Sequence, residues 1–251
     1  MAPPHRPSPR ELTVIGRRSL TPNMLRVTLG GPGLAGFPDA VGGYIKLNLA
    51  GDNGKTLIRT YTVAEQRADE IDCDFALHGL TGTGHAGPAT QWALDCAVGD
   101  TVLIGGPGPA KPLPAGEAFY LVAGDMTAIP AIATNLAALP VDSRGLAVIE
   151  VMSEADQQPL AKPDGVELRW VIVTQPGAEP DALAAAIRAA DWPGEAYAWV
   201  ACEFSAMQRL RAYLRDERGL GPDRLYISSY WKSGLTEDAH KVAKREDAMA
   251  G

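Results

Sequence analysis

Apolar and polar positions alternate with a period of two along the first half of the chain, which predicts β-strands. Ile45, Leu47 and Leu49 are apolar, and the residues between them are polar. Further strands are predicted at 25–29, 71–77 and 101–104, with Arg59–Thr62 at the end of another. Turn-forming residues separate these segments, and one short helix is predicted at 88–97. The pattern indicates an antiparallel β-barrel or sandwich.

The second half of the chain changes to strands that alternate with helices. A predicted strand at 119–123 leads through Gly124 into a helix, whose apolar face carries Met126, Ile129, Ile132, Leu136 and Leu139. Further strands are predicted at 146–152, 168–173, 197–201 and 225–228, and further helices at 181–190 and 205–217. Ser205 and Gln208 form a capping box at the start of the last helix, and Gly219 ends it. This alternation predicts a parallel, Rossmann-like sheet with helices on both faces.

Two segments rich in proline and glycine, 105–109 and 112–116, predict a linker between the halves. The 251 residues, at about 150 residues per domain, suit two modest domains. Apolar residues make up 46% of the chain and charged residues 21%, so a fibrous or disordered protein is excluded. We predict a β-barrel domain at 10–110 and an α/β domain with a C-terminal helical tail at 117–251.

Charge and cysteine content narrow the class of protein. The chain has 23 Lys and Arg against 30 Asp and Glu, a net charge of −7, which argues against nucleic-acid binding. Cys73, Cys96 and Cys202 lie far apart and form no CxxC pair, so reduced thiols are expected rather than disulfides or a zinc site. No signal peptide and no membrane span are predicted. Reduced thiols fit a cytoplasmic protein, so we expect that location.

Two glycine-rich stretches match the pattern G-x-G-x-x-G, in which glycines let backbone amide groups approach a phosphate. The match at 31–36 contains Pro32 and no helix follows it, so we predict a plain turn there. The match at 82–87 lies between a strand that ends near His78 and a helix that begins at Pro88. No second parallel strand follows closely, so this loop is either a phosphate cradle or a flexible turn.

The segment Arg59–Thr62 carries side chains suited to a ligand with a pyrophosphate and a flat ring. An arginine grips a pyrophosphate with two hydrogen bonds. Tyr61 suits packing against a ring, and the Thr62 hydroxyl suits a hydrogen bond to its polar edge. The alternative is an exposed strand with a surface arginine. His78 either hydrogen-bonds a cofactor or caps its strand.

The turn after the strand at 119–123 is the second candidate site. Backbone amide groups at 124–127 would face a dinucleotide bound beyond the carboxyl end of that strand. Glu150 lies near the end of the next strand, where an acidic residue favours NADH, but the register leaves NADH or NADPH open. Cys202 follows the strand at 197–201 and would lie at the same carboxyl edge of the sheet. We favour the interpretation that Cys202 is a small buried apolar residue over the alternative of a functional thiol.

Motifs in both halves together resemble one known family. The barrel half contains Arg59-x-Tyr61-Thr62, His78-Gly79 and Gly87-Pro88-Ala89-Thr90-x-Trp92. The α/β half contains Ala123-Gly124-Asp125-x-Thr127-Ala128-x-Pro130, then Arg224-Leu225-Tyr226-Ile227-Ser228 and Tyr230-Trp231-Lys232-x-Gly234. In this order and spacing they resemble the siderophore-interacting proteins, a branch of the ferredoxin–NADP reductase-like flavoproteins, over residues 10 to 245. The chain departs from the family at Ala64, where a second arginine is usual.

The resemblance implies FAD in the barrel and NADH or NADPH on the α/β domain. The cofactor-binding residues it implies are Arg59, Thr60, Tyr61, Thr62, His78, Gly79, Ala86, Gly87, Pro88, Ala89, Thr90, Gly124, Asp125, Thr127 and Trp231. It implies a ferric-siderophore pocket beside Trp231 and Lys232, and Lys55 is a further lysine that suits an anionic chelate. Neither a catalytic side chain nor a protein-bound metal is predicted.

The implied activity is that of a ferric-siderophore reductase, which passes electrons from NAD(P)H through FAD to iron(III) and releases iron(II). A flavin suits this task because it accepts two electrons and releases them singly. Two alternatives stay open: a carrier that binds ferric siderophores without reducing them, and a general flavin reductase or reductase component of an oxygenase. We expect a monomer.

Overall fold

The computed structural model describes residues 8–51, 54–78 and 86–250. The chain divides into two compact units, residues 1–111 and 112–251. Each unit is described by itself.

The first unit is a closed, six-stranded antiparallel barrel with neighbours in the order β1-β2-β5-β4-β3-β6. Its strands are β1 (Arg10–Thr21), β2 (Met24–Gly30), β3 (Tyr44–Ala50), β4 (Thr56–Arg67), β5 (Glu70–Ala76) and β6 (Thr101–Gly108). One helix, α1 (Pro88–Asp95), lies between β5 and β6. Inward side chains of β3 and β5, such as Leu47 and Phe75, are fully buried. The predicted two-residue alternation is confirmed, because one face of each strand packs into the barrel.

Two predictions in this unit are wrong. Arg59–Thr62 lies in the middle of β4, because β4 pairs with β3 up to Thr62 and then with β5 from Val63 onward. The predicted linker 105–109 belongs mostly to β6, whose Gly108 lies opposite Tyr44 on β3. A Cβ atom on Gly108 would lie 2.0 Å from the Tyr44 ring, so glycine here permits the strand to continue.

The second unit is a five-stranded parallel sheet with the order β11-β10-β7-β8-β9. Its strands are β7 (Tyr120–Gly124), β8 (Gly145–Val151), β9 (Val166–Ile172), β10 (Tyr197–Glu203) and β11 (Leu225–Trp231). Its helices are α2 (Ile129–Ala137), α3 (Ala182–Arg188), α4 (Phe204–Ala212) and α5 (Glu237–Ala250). The predicted parallel α/β arrangement is confirmed.

Helices cover both faces of this sheet. Leu121 of β7 lies in one buried cluster with Leu183 of α3 and Leu210 of α4. Gly124 faces the other side, where Ile132 of α2 approaches it. A Cβ atom on Gly124 would lie 2.6 Å from the Ala201 carbonyl oxygen and 2.8 Å from Ile132 Cδ1, so this close packing requires glycine.

The start of α4 differs from the predicted capping box. Glu203 is the N-cap residue, and its carboxylate accepts hydrogen bonds from the amide groups of Ser205 and Ala206. The predicted cap, Ser205, is therefore the second residue of the helix. A carboxylate is favoured at the N-cap position because it accepts two amide hydrogen bonds and complements the positive end of the helix. Gly219, with φ of +69°, adopts the left-handed conformation expected after a helix end.

Cys73, Cys96 and Cys202 are buried free thiols. In the described ranges, no group of His, Cys, Asp and Glu side chains has the geometry of a metal site. None of the helices within residues 8–51, 54–78 and 86–250 has both the length and the apolar character needed to cross a membrane.

Candidate functional site

An aromatic row connects the middle of β4 to α1 in the barrel unit. The Tyr61 ring centroid lies 4.1 Å from that of Phe75, and Phe75 lies 5.7 Å from Trp92 in the first turns of α1. Tyr61 is half-buried and packs against the buried core of the barrel. The row places Tyr61 and the start of α1 on the same side of the barrel.

Arg59 and Tyr61 lie on one face of β4, because side chains two residues apart point the same way. Arg59 is half-buried, and its guanidinium donates to the Ile58 carbonyl oxygen at 2.8 Å. Thr60 and Thr62 lie on the opposite face, with Thr62 paired to Tyr44 of β3. The strand therefore brings Arg59 and Tyr61 together and separates them from the two threonines.

The N-terminus of α1 is suited to an anion. Gly87 is the N-cap residue and Pro88 begins the helix, and no side chain in the described part of the chain caps it. The amide groups of Ala89 and Thr90 have no acceptor among the described residues, and no described atom lies within 4 Å of the position that a Cβ atom on Gly87 would take. Uncapped amide groups at a helix start bind phosphate groups readily.

The other barrel residues predicted for the site are placed as follows. Ala86 is half-buried directly before Gly87, and His78 is half-buried just beyond the end of β5. Lys55 is exposed in the β3–β4 hairpin. Gly79 and most of the loop at 82–87 lie outside the described residues.

Asp125 organises the carboxyl edge of the sheet in the second unit. Its buried carboxylate accepts hydrogen bonds from the Thr127 amide at 2.9 Å, the Thr127 hydroxyl and the Trp231 indole at 2.8 Å. The amide group of Glu203 also donates to it. Burial raises the pKa of Asp125, and these donors oppose that rise.

These contacts change one expectation from the sequence. Backbone amide groups at 124–127 were predicted to face a dinucleotide, but the Thr127 amide already donates to Asp125. The resemblance implies that Trp231 binds a cofactor, and the structure joins its indole to the same carboxylate. The turn and the end of β11 therefore form one hydrogen-bonded unit at the sheet edge.

Two further carboxylates are buried at this edge. Glu203 is 3% exposed and holds the Ser233 amide at 3.1 Å in addition to the start of α4. Glu150, at the penultimate position of β8, is 7% exposed. Burial, together with the nearby carboxylates of Asp125, Glu179 and Glu203, raises the pKa of Glu150 to about 8.

Cys202 and Lys232 complete the edge. Cys202 is fully buried, and burial among the same carboxylates raises its thiol pKa well above the ordinary value, so the thiol stays neutral. This is the behaviour of a small buried hydrophobe. The half-buried Lys232 places its ammonium group 4.1 Å from the centroid of the Phe204 ring.

Sequence reasoning missed the role of Glu203. The available signal is an acidic residue between a predicted strand and a predicted helix, where a carboxylate complements the positive end of the helix. The hydrogen bond between Asp125 and Trp231 joins residues 106 positions apart and has no local signal.

The fold and the barrel site define a class of protein. A closed antiparallel barrel that offers an open helix N-terminus, followed by a five-stranded parallel sheet, is the plan of the ferredoxin–NADP reductase-like flavoproteins. The ferredoxin–NADP⁺ reductase of Plasmodium falciparum shares this fold: the TM-score is 0.64 over 88% of this chain and 96% of that chain, at 11% sequence identity.

The chain belongs to the siderophore-interacting protein family, as its motifs predicted. The family described as "Siderophore-interacting protein" matches residues 117–234, and the "Siderophore-interacting FAD-binding domain" matches residues 49–111. The chain is 33% identical over 256 residues to the ferric vibriobactin reductase ViuB of Vibrio cholerae, covering 92% of each protein. The crystal structure of the siderophore-interacting protein SipS from Aeromonas hydrophila matches 99% of this chain and 100% of its own, with a TM-score of 0.83 and 31% identity.

The barrel residues fit the FAD that this family binds. FAD carries a diphosphate, and the open start of α1 supplies unpaired amide groups of the kind that bind one. FAD also carries a flat ring, and Tyr61 offers a half-buried aromatic face on the same side of the barrel. The chain is therefore a siderophore-interacting flavoprotein with the fold of a flavin-dependent oxidoreductase.

Proposed function

We propose that this protein is a ferric-siderophore reductase that uses FAD to pass electrons from NAD(P)H to iron(III). One NAD(P)H gives up a hydride, which carries two electrons, and two ferric ions each accept one. The products are NAD(P)⁺, one proton and two iron(II) ions. Iron(II) is a softer, less highly charged ion than iron(III), so the oxygen ligands of the siderophore release it.

The observation that carries the proposal is the barrel site within a chain of this family. Tyr61 and the uncapped start of α1 lie on one side of the barrel, and the chain matches a ferric vibriobactin reductase over nearly its whole length. We assign FAD to the barrel domain at 10–110 and the nicotinamide donor to the α/β domain at 117–251.

Five barrel residues have a definite task in this proposal. The amide groups of Ala89 and Thr90 bind the diphosphate, with Gly87 leaving room for it. The Arg59 guanidinium neutralises diphosphate charge, and Tyr61 orients the flavin ring. FAD, when bound, supplies the conversion between a two-electron donor and a one-electron acceptor.

The second unit contributes binding rather than acid–base chemistry. Hydride and electron transfer between these partners need no proton from a side chain, which suits the neutral thiol of Cys202. Gly124 and the Asp125 turn form the sheet edge where a dinucleotide binds in such folds. Lys232 supplies a positive charge for an anionic ferric chelate, and Lys55 supplies another on the barrel unit.

An anaerobic assay tests the proposal. Purified protein, FAD, NADH or NADPH and a ferric siderophore are mixed with a dye specific for iron(II). We expect dye colour at a rate well above that of a control with free FAD and no protein. Colour no faster than this control would overturn the reductase function.

A matched pair of variants tests the barrel assignment by direct measurement of FAD binding. Arg59→Ala should weaken FAD binding about tenfold or more, because a charge-assisted hydrogen bond to the diphosphate is lost. Arg18→Ala, an exposed arginine on β1, should leave FAD binding unchanged. Flavin fluorescence during titration measures both affinities, and equal affinities for the two variants would contradict the assignment.

The two alternative functions give different results. A carrier binds the ferric siderophore but forms no iron(II), and its preparation shows no flavin absorbance. A general flavin reductase oxidises NAD(P)H equally fast with free flavin alone and is indifferent to the siderophore.

A further inference from the structure

Helix α1 packs on the barrel mainly through small side chains. Its buried residues are Ala89, Thr90 and Ala93, and the larger Trp92 is only half-buried. Small side chains make few van der Waals contacts, so they resist a sliding or tilting movement of the helix only weakly. A further contact that fixes the position of α1 is therefore important for any ligand that binds at its N-terminus.

The C-terminal end of α1 is electrostatically negative. The last carbonyl groups of a helix have no partner within the helix, and they give this end a partial negative charge. The last turn of α1 contains no lysine or arginine, and the helix ends at Asp95, which adds a like charge. A positive group from another element is favoured at this place.

Arg17 of β1 supplies that positive group. Its guanidinium donates from Nη2 to the Leu94 carbonyl oxygen at 2.8 Å and from Nη1 to the Cys96 carbonyl oxygen at 2.6 Å. These two acceptors belong to the last turn of α1 and to the residue that directly follows the helix. Because the guanidinium is a rigid, planar group, the two bonds together fix the direction of the helix end as well as its position.

The turn after α1 has its own attachment to β1. The Val14 amide donates to the Asp100 carbonyl oxygen at 2.8 Å, and the Gly99 amide donates to the Val14 carbonyl oxygen at 2.9 Å. Both bonds join backbone groups and involve no residue of α1. Loss of the Arg17 side chain should therefore loosen the helix end and leave the barrel folded.

The two ends of α1 are mechanically connected. The helix has eight residues and is about 12 Å long, so a movement of its last turn also moves its first turn. The amide groups of Ala89 and Thr90 bind a phosphate group only if they meet its oxygens at hydrogen-bond distance and angle. The contact that fixes the C-terminal end thus decides where these amide groups lie.

We propose that Arg17 is a positioning residue for FAD, which holds the C-terminal end of α1 so that the amide groups at its N-terminal end meet the diphosphate. The inference rests on the proposed function, in which FAD binds to the barrel. Arg17 acts through the helix, in contrast to Arg59, which is assigned to the diphosphate itself.

The first experiment measures FAD affinity by flavin fluorescence during titration of the full-length protein. Arg17→Ala should weaken FAD binding about fivefold, because a positive charge and two hydrogen bonds are lost from the helix end. Arg17→Lys keeps the charge but lacks the planar group, so its affinity should lie between those of Arg17→Ala and the wild type. Arg18→Ala, which removes the neighbouring exposed arginine of β1, should bind FAD as the wild type does.

A spectroscopic measurement separates positioning from a general loss of structure. In Arg17→Ala saturated with FAD, the ³¹P resonances of the diphosphate should move towards those of free FAD, while the absorbance spectrum of the flavin ring stays as in the wild type. A general loss of structure would change both signals. Unchanged ³¹P resonances, or an altered flavin spectrum, would overturn the positioning role.

The inference and the proposed function fail in different ways. Equal FAD affinities for Arg17→Ala and the wild type overturn the inference and leave the reductase function standing. A wild-type protein that binds FAD but forms no iron(II) in the anaerobic assay overturns the reductase function and leaves the role of Arg17 standing. A wild-type protein that does not bind FAD overturns both.

Discussion

Three buried carboxylates at the sheet edge of the second unit differ in the hydrogen bonds that they accept. Asp125 and Glu203 hold distant segments together, because each carboxylate accepts hydrogen bonds from several neighbouring groups. Glu150 accepts no such hydrogen bonds within the described residues, and burial makes its charge unfavourable in the folded state.

The stability effect of Glu150 has a definite dependence on pH. Its pKa is about 8 in the folded protein against an ordinary value of 4.5, so the folded state keeps a proton that the unfolded chain releases. The wild-type free energy of unfolding therefore falls as pH rises from 4.5 to 8. Glu150→Gln cannot lose a proton and should be more stable than wild type above pH 8, by on the order of 3 kcal/mol.

Urea denaturation of both proteins at pH 5 and pH 8.5 measures this difference. The stabilisation in Glu150→Gln should be small at pH 5 and large at pH 8.5. Glu154→Gln, at an exposed position, should track the wild type at both pH values. Stabilisation that does not grow with pH would show that the Glu150 carboxylate is not held protonated.

At the scale of elements, helix α5 depends on polar contacts for its attachment to β11. His240 Nε2 lies 2.8 Å from the Ser229 hydroxyl, and both residues are buried. The Lys244 ammonium donates to the Ser228 hydroxyl at 2.7 Å and to the Ser229 carbonyl oxygen at 2.9 Å. Asp247 pairs with Arg211 of α4. Several of these groups are ionisable, so the attachment of α5 should respond to pH.

Acid should loosen α5. Burial and the nearby Lys244 ammonium lower the pKa of His240 from its ordinary 6.5, while Glu237 and Glu203 partly offset this and Lys232 adds to it. Because the folded-state pKa is depressed, the unfolded chain binds the proton first, and stability falls as pH drops below 6.5. Hydrogen-exchange protection factors for 237–250 should therefore be lower at pH 5.5 than at pH 7.5.

The variant His240→Gln shows whether the pH response of α5 comes from this histidine or from other titrating groups. Glutamine stays neutral and keeps a side-chain donor and acceptor for Ser229. Its α5 protection should change much less between the two pH values than that of the wild type. A change in the variant as large as that in the wild type would assign the pH response to other groups.

At the scale of the whole molecule, the net charge of −7 opposes the approach of an anionic ferric chelate. Salt screens this repulsion, with a Debye length of about 10 Å at 0.1 M ionic strength. The second-order rate constant with an anionic chelate should rise as ionic strength increases, and that with a neutral chelate should stay constant.

Stopped-flow measurement of iron(II) formation over a range of salt concentration tests this expectation. A rate that falls with salt would mean that local positive charge, such as that of Lys232, governs the encounter instead of the net charge. Lys232→Met should in that case remove the salt dependence, because the apolar side chain keeps contact with Phe204.

The sequence by itself determined the two-part architecture, since the periods of apolar positions are local properties of strands and helices. Ile45 and Leu47 mark a barrel strand within a few residues, and the Gly124 turn marks a strand followed by a helix. The motifs around Tyr61 and Pro88 likewise contributed to identifying the family, because they lie in short segments.

Only the tertiary structure decided how distant segments meet. The exchange of partners along β4 depends on both neighbouring strands, and the bond between Asp125 and Trp231 joins β7 to β11 across the intervening β10. The raised pKa of Glu150 likewise depends on its burial and on carboxylates from segments far apart in the sequence. Hydrophobic periodicity is a property of a few neighbouring residues, so it can be seen in the sequence. The pairing of polar groups at a sheet edge involves residues far apart in the sequence, so it forms only when the fold brings them together.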